Sequence, residues 1–167
     1  EDEIAQHNLA LDKAIETDNL NGQAKALNEL GLIYLTRTHE YEKAMDLFIR
    51  ALSLEDSLGL TEQQIFTYLS IGQVFEDVGD NLKALHFFEE AMHTHGERGD
   101  SEIRVLILNK LGRVSALVSK TEEAFQYYEQ VLSYKDEAGP KVEAEALFNL
   151  ASLYTIQGKY DKALDHH

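Results

Sequence analysis

The chain has 167 residues, 44% hydrophobic and 27% charged, the composition of an ordinary globular domain. Thirty Asp and Glu stand against fifteen Lys and Arg, a formal net charge of −15, and a chain this acidic repels polyanions, which argues against nucleic acid and membrane partners. Cys is absent, excluding disulfides, a thiolate nucleophile and a Cys-based zinc site, and no run approaches the ~18 consecutive apolar residues of a membrane span.

In chain order, the spacing first predicts a helix from Ile4 to Thr17, packing through Leu11, Ala14 and Ile15. Ala26, Leu27, Leu30, Ile33 and Tyr34 then share one helical face. A break at Thr38, His39 and Glu40 follows, and Tyr41, Ala44, Leu47, Phe48, Ala51 and Leu52 mark a second face. The next pair repeats this with Tyr68, Ile71, Val74 and Phe75, a Gly79-Asp80 turn, then Ala84, Phe87, Phe88 and Ala91. A third, looser pair runs from Leu108, Leu111 and Val114 through Ser119-Lys120 to Ala124, Tyr127, Tyr128 and Val131. A fourth begins with Leu147, Leu150, Leu153 and Tyr154, turns at Gly158-Lys159 and reaches Tyr160 and Ala163.

Gly59, Gly99 and Gly139 stand forty residues apart, where each second helix must end, because glycine tolerates the left-handed cap conformation. Such a period means a stack of similar helix pairs rather than one core. The expected division is a single domain with an N-terminal helix (1–22), repeats at 23–59, 60–99 and 100–139, and a shortened repeat at 140–167. Thr61 with Gln64 and Ser119 with Glu122 have capping-box spacing, and Pro140 falls in a first turn, where its missing N–H costs nothing. Lacking an initiator Met and an apolar leader, and stopping at Asp165, His166 and His167 inside a predicted helix, the chain reads as a cytoplasmic segment of something larger. His166 and His167 are either native or part of a tag.

The motif Leu27-x2-Leu30-Gly31-x2-Tyr34, with its counterparts Tyr68-x2-Ile71-Gly72-x2-Phe75 and Leu147-x2-Leu150-Ala151-x2-Tyr154, resembles the first-helix signature of tetratricopeptide repeats. Ala44-x3-Phe48-x2-Ala51 and Ala84-x3-Phe88-x2-Ala91 resemble the second-helix signature. The period of about 40, against the usual 34, is similar to the extended class found in some scaffold and bacterial signalling proteins. Ser115 replaces an expected aromatic and Val131 an expected alanine, so the third unit should be the least regular. A HEAT-type array has a similar length but does not predict this small-small-aromatic order.

The resemblance implies an all-α solenoid of about four antiparallel helix pairs with a right-handed superhelical twist. Gly31, Gly72, Gly112 and Ala151, facing the alanines of the second helices, would let backbones approach, and Phe48, Phe88 and Tyr128 would fill the space between successive units. It further implies a non-catalytic module that binds a protein or peptide on the concave face. The alternative is an input domain of a bacterial signalling protein such as a diguanylate cyclase, histidine kinase or peptide-responsive regulator.

Carried onto this chain, the family's groove positions are Lys25, Asn28 and Leu32 in the first repeat and Phe66, Leu69, Gln73 and Glu76 in the second. In the third they are Asn109, Lys110 and Arg113, and in the fourth Phe148, Asn149 and Ser152. The family's carboxylate clamp is only partly present, since Leu32 and Leu69 stand where it needs polar groups. The groove should be apolar at one end and modestly basic at the other.

No nucleophile elbow, phosphate loop or HExxH helix occurs, and no cofactor is expected. Pairs such as Glu76 and Asp77, Glu89 and Glu90, and Glu122 and Glu123 read as solvated helix faces, with no pocket to move a pKa. His86 and His93 share a face but lack a completing ligand set, so the histidines read as solvent-facing rather than metal-binding. Because no second helix is complete after Leu147, Leu150, Leu153 and Tyr154, that apolar face is expected to stay open and drive self-association.

Overall fold

In the computed structural model, residues 2–96, 100–156 and 158 are described, and every regular element among them is helical. The helices are α1 (Asp2–Glu16), α2 (Leu20–Ile33), α3 (Tyr41–Leu58), α4 (Thr61–Asp77), α5 (Asn81–His95), α6 (Ser101–Leu117), α7 (Thr121–Ser133) and α8 (Lys135–Ile156). They fall into two compact units, Glu1–Thr94 and His95–His167. In the first unit α2 packs between α1 and α3, and α3 packs on α4. In the second, α6, α7 and α8 pack on one another. The second helix of the last predicted repeat, with Lys159, Tyr160 and Ala163, lies outside the described residues, as does Gly99.

The first three pairs are each locked by a ring pressed onto a glycine. A Cβ placed on Gly31 would come within 2.6 Å of the Phe48 ring, and one on Gly112 within 2.8 Å of Tyr128; Gly72 stands in the same way against Phe88. The rings are sealed, with Phe48 and Phe88 at 0% exposure and Tyr128 at 1%. The aromatic series thus seats first on its own pair. Phe48 also reaches the next one, sharing a cluster with Ile71 and Val74 of α4. A second cluster, Leu11, Leu27, Leu30, Leu47 and Ala51, joins α1 to α2 and α3. Of the face predicted for α1, Leu11 and Ala14 are buried but Ile15 is 52% exposed, because α2 covers only one side of α1 among the described residues.

Gly31 and Ala44 are one residue farther apart than Gly72 and Ala84, or Gly112 and Ala124. The extra residue is absorbed where α2 ends, in a π-helical turn over Tyr34–Thr38. Widening one turn takes up an insertion without rotating the helices that flank it. His39 (φ 54°) therefore occupies the left-handed position that Gly79 and Ser119 take in the next two turns. The acid after it bridges to a lysine that covers the preceding aromatic. Glu40 pairs with Lys43, whose Nζ lies 5.3 Å from the Tyr34 ring centre, and Asp80 pairs with Lys83 at 2.9 Å, 5.1 Å from Phe75.

The capping boxes do not form. The cap residues before α4 and α7 are Leu60 and Lys120, neither with a side-chain cap, and Ser119 is held in the left-handed region at φ 64°. Side-chain caps come instead from Asn19, accepting from the Gly22 N–H at 3.0 Å, from Asp80, accepting from the Lys83 N–H at 3.2 Å, and from Asp100, accepting from Glu102 and Ile103. Gly59 ends α3 at φ 66° as expected, and Gly96 (φ 66°) follows the end of α5. Gly139 (φ 75°, ψ 161°) kinks α8 just before Pro140.

The predicted open face of α8 is not open. Leu150 and Leu153 are buried, Leu147 is half-buried, and Tyr154 meets Phe125 of α7 with tilted rings, centres 4.6 Å apart, so the face is largely covered and self-association does not follow from it. Ser115, where an aromatic was expected, is fully buried and its Oγ has no hydrogen-bond partner among the described residues. Removing an unsatisfied buried hydroxyl relieves its desolvation, and alanine is the better helix former. Ser115→Ala should therefore raise unfolding free energy by about 1 kcal/mol. A loss of similar size on urea unfolding would show that the hydroxyl is bonded after all.

Candidate functional site

The first helix of each pair carries the predicted groove positions, and within each unit these helices are neighbours. In the first unit α2 and α4 meet through polar side chains: Gln63 Nε2 donates to Asn21 Oδ1 at 3.0 Å, and Asn28 Nδ2 to Thr67 Oγ1 at 2.9 Å. Asn28 also donates to Glu55 Oε1 of α3 at 2.6 Å. It is therefore committed to a buried link among three helices rather than open to a ligand.

Glu55 is the unexpected member of that link. It lies one turn after Ala51 on the buried face of α3 and is 0% exposed, contrary to the reading of the carboxylates as surface charge. Thr67 Oγ1 sits 3.0 Å from Glu55 Oε1 and 3.1 Å from the Gln63 carbonyl, with one proton to give. Glu55 Oε2 has no partner among the described residues. Burial pushes the Glu55 carboxyl above the usual carboxylate range, against the lowering effect of the Thr67 and Asn28 hydrogen bonds.

The other first-unit positions divide. Lys25 is exposed with Glu29 at 4.0 Å, Leu32 is 43% exposed and Phe66 45%. Leu69 is only 7% exposed, which makes it a packing residue of α4. Gln73 donates to Asp77 at 2.6 Å, and Glu76 is half-buried.

In the second unit the three α6 positions converge, without Phe148, Asn149 and Ser152 of α8. Asn109, Lys110 and Arg113 of α6 line one cleft with Leu106 and with Glu145 of α8, enclosing about 220 Å³. Asn109 Oδ1 is buried without a hydrogen-bond partner among the described residues. Phe148 is 60% exposed, Asn149 and Ser152 are half-buried, and Ser152 donates to the Phe148 carbonyl at 2.9 Å. Neither Leu106 nor Glu145 was singled out from the sequence. The signal was available: Leu106 lies one turn before Lys110 and forty residues after Phe66, and Glu145 one turn before Asn149.

The histidines are not all solvent-facing. His95 is 7% exposed, with Nδ1 3.0 Å from the Gly96 carbonyl and Nε2 2.7 Å from that of Asp100, so it braces the start of α6. Among the described residues no three His, Asp or Glu side chains converge as a metal site. No described helix is long and apolar enough to cross a membrane.

These paired helices, with a glycine under an aromatic at Gly31, Gly72 and Gly112, meet a direct match in sequence. The profile of the tetratricopeptide repeat covers residues 22–94 and 103–167. The chain belongs to the tetratricopeptide repeat (TPR) family. Its fold class is accordingly that of TPR solenoids, as solved structures also show. BtubC (BKLC) from P. vanneervenii superposes with a TM-score of 0.82 at 21% identity, over 99% of this chain and 69% of that one. A Rap protein complexed with competence and sporulation factor gives 0.78 at 20%, over 98% and 46% of the two chains. MamA gives 0.68 at 16%, over 93% and 89%. At such identities the likeness is one of fold. No curated protein matches the sequence. The TPR assignment makes α2, α4, α6 and α8 the first helices of their repeats, the ones on which the cleft residues lie.

Proposed function

We propose that this TPR chain is a non-catalytic binding module that captures a protein or peptide on the inner faces of its first helices. The cleft between α6 and α8 is the principal contact. The observation that carries this is the convergence there of two cations, Lys110 and Arg113, an amide with a buried unpartnered oxygen on Asn109, and apolar surface from Leu106. Such a surface suits an extended segment that offers a backbone N–H to Asn109, a carboxylate to the cations and an apolar side chain to Leu106 and the exposed Phe148. Glu145 disfavours a ligand carrying more than one carboxylate at that point. TPR proteins generally act as interaction scaffolds, and the Rap structure with competence and sporulation factor shows that this fold holds a partner in at least one relative.

The test is selection of peptides on the immobilised chain, then titration of a selected binder. Arg113→Glu should weaken it by about tenfold or more, as expected for losing a charge-assisted hydrogen bond, and the loss should shrink at high salt. Phe148→Ala should weaken it with little salt dependence. Glu129→Lys, on the exposed side of α7, should leave it unchanged. If the α7 change matters and the α6 and α8 changes do not, the partner uses the second helices and the cleft is not the site.

A further inference from the structure

A second concavity, of about 420 Å³, lies inside the first unit among α1, α2 and α3, on residues that no groove reading uses. Leu11, Leu30 and Leu47 form its floor, all 9% exposed or less, and Tyr34 forms a wall. Its volume falls within the ~300–1,000 Å³ range of small-molecule sites.

Comparison with the neighbouring pair explains why there is space here. Leu47 stands forty residues before Phe87, and Tyr34 is the counterpart of Phe75. In the later pair the Phe87 ring stacks on Phe75, centres 5.4 Å apart and planes 9° apart, and also approaches Tyr68 at 6.3 Å. In the earlier pair the smaller Leu47 fills less of the space beside Tyr34. Tyr34 also begins the π-helical turn made by the inserted residue. Single π turns of this kind are frequent at functional sites.

The rim states what charge the pocket takes. Its two cations are each accompanied by an acid: Lys43 by Glu40, and Arg50 by Asp46 at 3.6 Å. Glu42, also on the rim, makes no ion pair among the described residues. The lining itself carries two acids and two cations and is neutral; Glu40, which pairs with Lys43 from outside the lining, leaves Glu42 as one surplus negative charge, and the net charge of −15 raises the local concentration of cations around it.

We propose that this pocket binds a small amphiphilic amine, with a compact apolar body on Leu11, Leu30 and Leu47 and its ammonium against Glu42. The site is separate from the peptide cleft, which lies in the other unit.

The experiment uses methyl-labelled leucines in the whole chain, titrated with 4-phenylbutylamine and its charge-reversed counterpart 4-phenylbutyrate. The amine should give saturable shifts at Leu11, Leu30 and Leu47, with at least fivefold weaker response to the carboxylate. Leu47→Phe, which copies Phe87, should reduce amine affinity at least tenfold. Glu42→Gln, an exposed change that leaves the core alone, should erase the preference for amine over carboxylate. The proposal is overturned if the amine causes no saturable shift, if both probes bind the unaltered chain equally, or if Glu42→Gln keeps the preference. Undiminished amine binding in Leu47→Phe also overturns it; should that variant melt early, Glu42→Gln decides alone.

Discussion

Phe88→Ala should lower the unfolding free energy by about 3–5 kcal/mol, the usual cost of emptying a fully buried aromatic site. Phe88 is completely buried, and its ring lies where any side chain on Gly72 would have to go. Gly72→Ala should therefore also destabilise, by about 1–3 kcal/mol, although alanine is intrinsically the better helix former. Leucine at Gly72 or Ala84 should cost at least as much. The decisive measurement is a double-mutant cycle: in a Phe88→Leu background the ring is gone, so Gly72→Ala should cost at least ~0.5 kcal/mol less than it does alone. Additive costs on urea unfolding would mean that the ring is not what the added methyl meets. The pair would then have lost its claim to be the structural unit of the repeat.

The second large effect is on pH dependence, and it comes from Glu55. In an unfolded chain a glutamate titrates near 4.3, whereas burial raises the Glu55 value in the folded protein. The folded state thus holds this proton more tightly. The resulting stability is fully present below about pH 4.3 and is lost as the pH rises through the folded value. Glu40 and Asp80 act in the opposite sense, because hydrogen bonds from Lys43 and Lys83 lower their values and their contribution fades as the pH falls. The difference between the parent and Glu55→Gln isolates Glu55. Glu55→Gln should gain on the parent as the pH rises from 4 towards neutrality, then run parallel to it. Thr67→Val, which strips Glu55 of one hydrogen-bond partner, should cost about 1.5–3 kcal/mol where the carboxylate is charged and nearer 1 where it is protonated. Difference curves flat from pH 4 to 8 would place Glu55 in contact with solvent.

The helix pairs, their breaks and the small-small-aromatic order were legible because each follows from a short-range period. A residue at a given phase of a helix points to one side whatever lies beyond it. The capping boxes at Thr61 and Ser119 were misread for a reason of the same local kind. Spacing shows that a hydroxyl and a later carboxylate or amide are within reach, but Thr61 is already inside α4 and Ser119 is in the left-handed turn, so neither holds the cap position. Glu55 was missed because charge was weighed above phase. It continues the Ala44, Phe48, Ala51 face by a further turn, and only the arrival of Thr67 from α4 and Asn28 from α2 makes its burial tolerable.

Among the candidate site residues, Asn28 and Asn109 show where sequence reading ends. By family signature they are equivalent, each on the first helix of its repeat and three residues before the glycine, Gly31 or Gly112. Asn28 is spent on Glu55 and Thr67, while Asn109 lines an open cleft with Lys110, Arg113 and Glu145. The sequence by itself determined the repeat, the family, the glycine under each ring and the helices on which the candidate positions lie, since all of these are written in periodicities of one chain segment. Tertiary structure alone decided which of those positions line a cleft, which apolar residues are covered and where a pocket opens beside Tyr34. Each of these depends on what a neighbouring helix places opposite a side chain, and no period within a single helix records that.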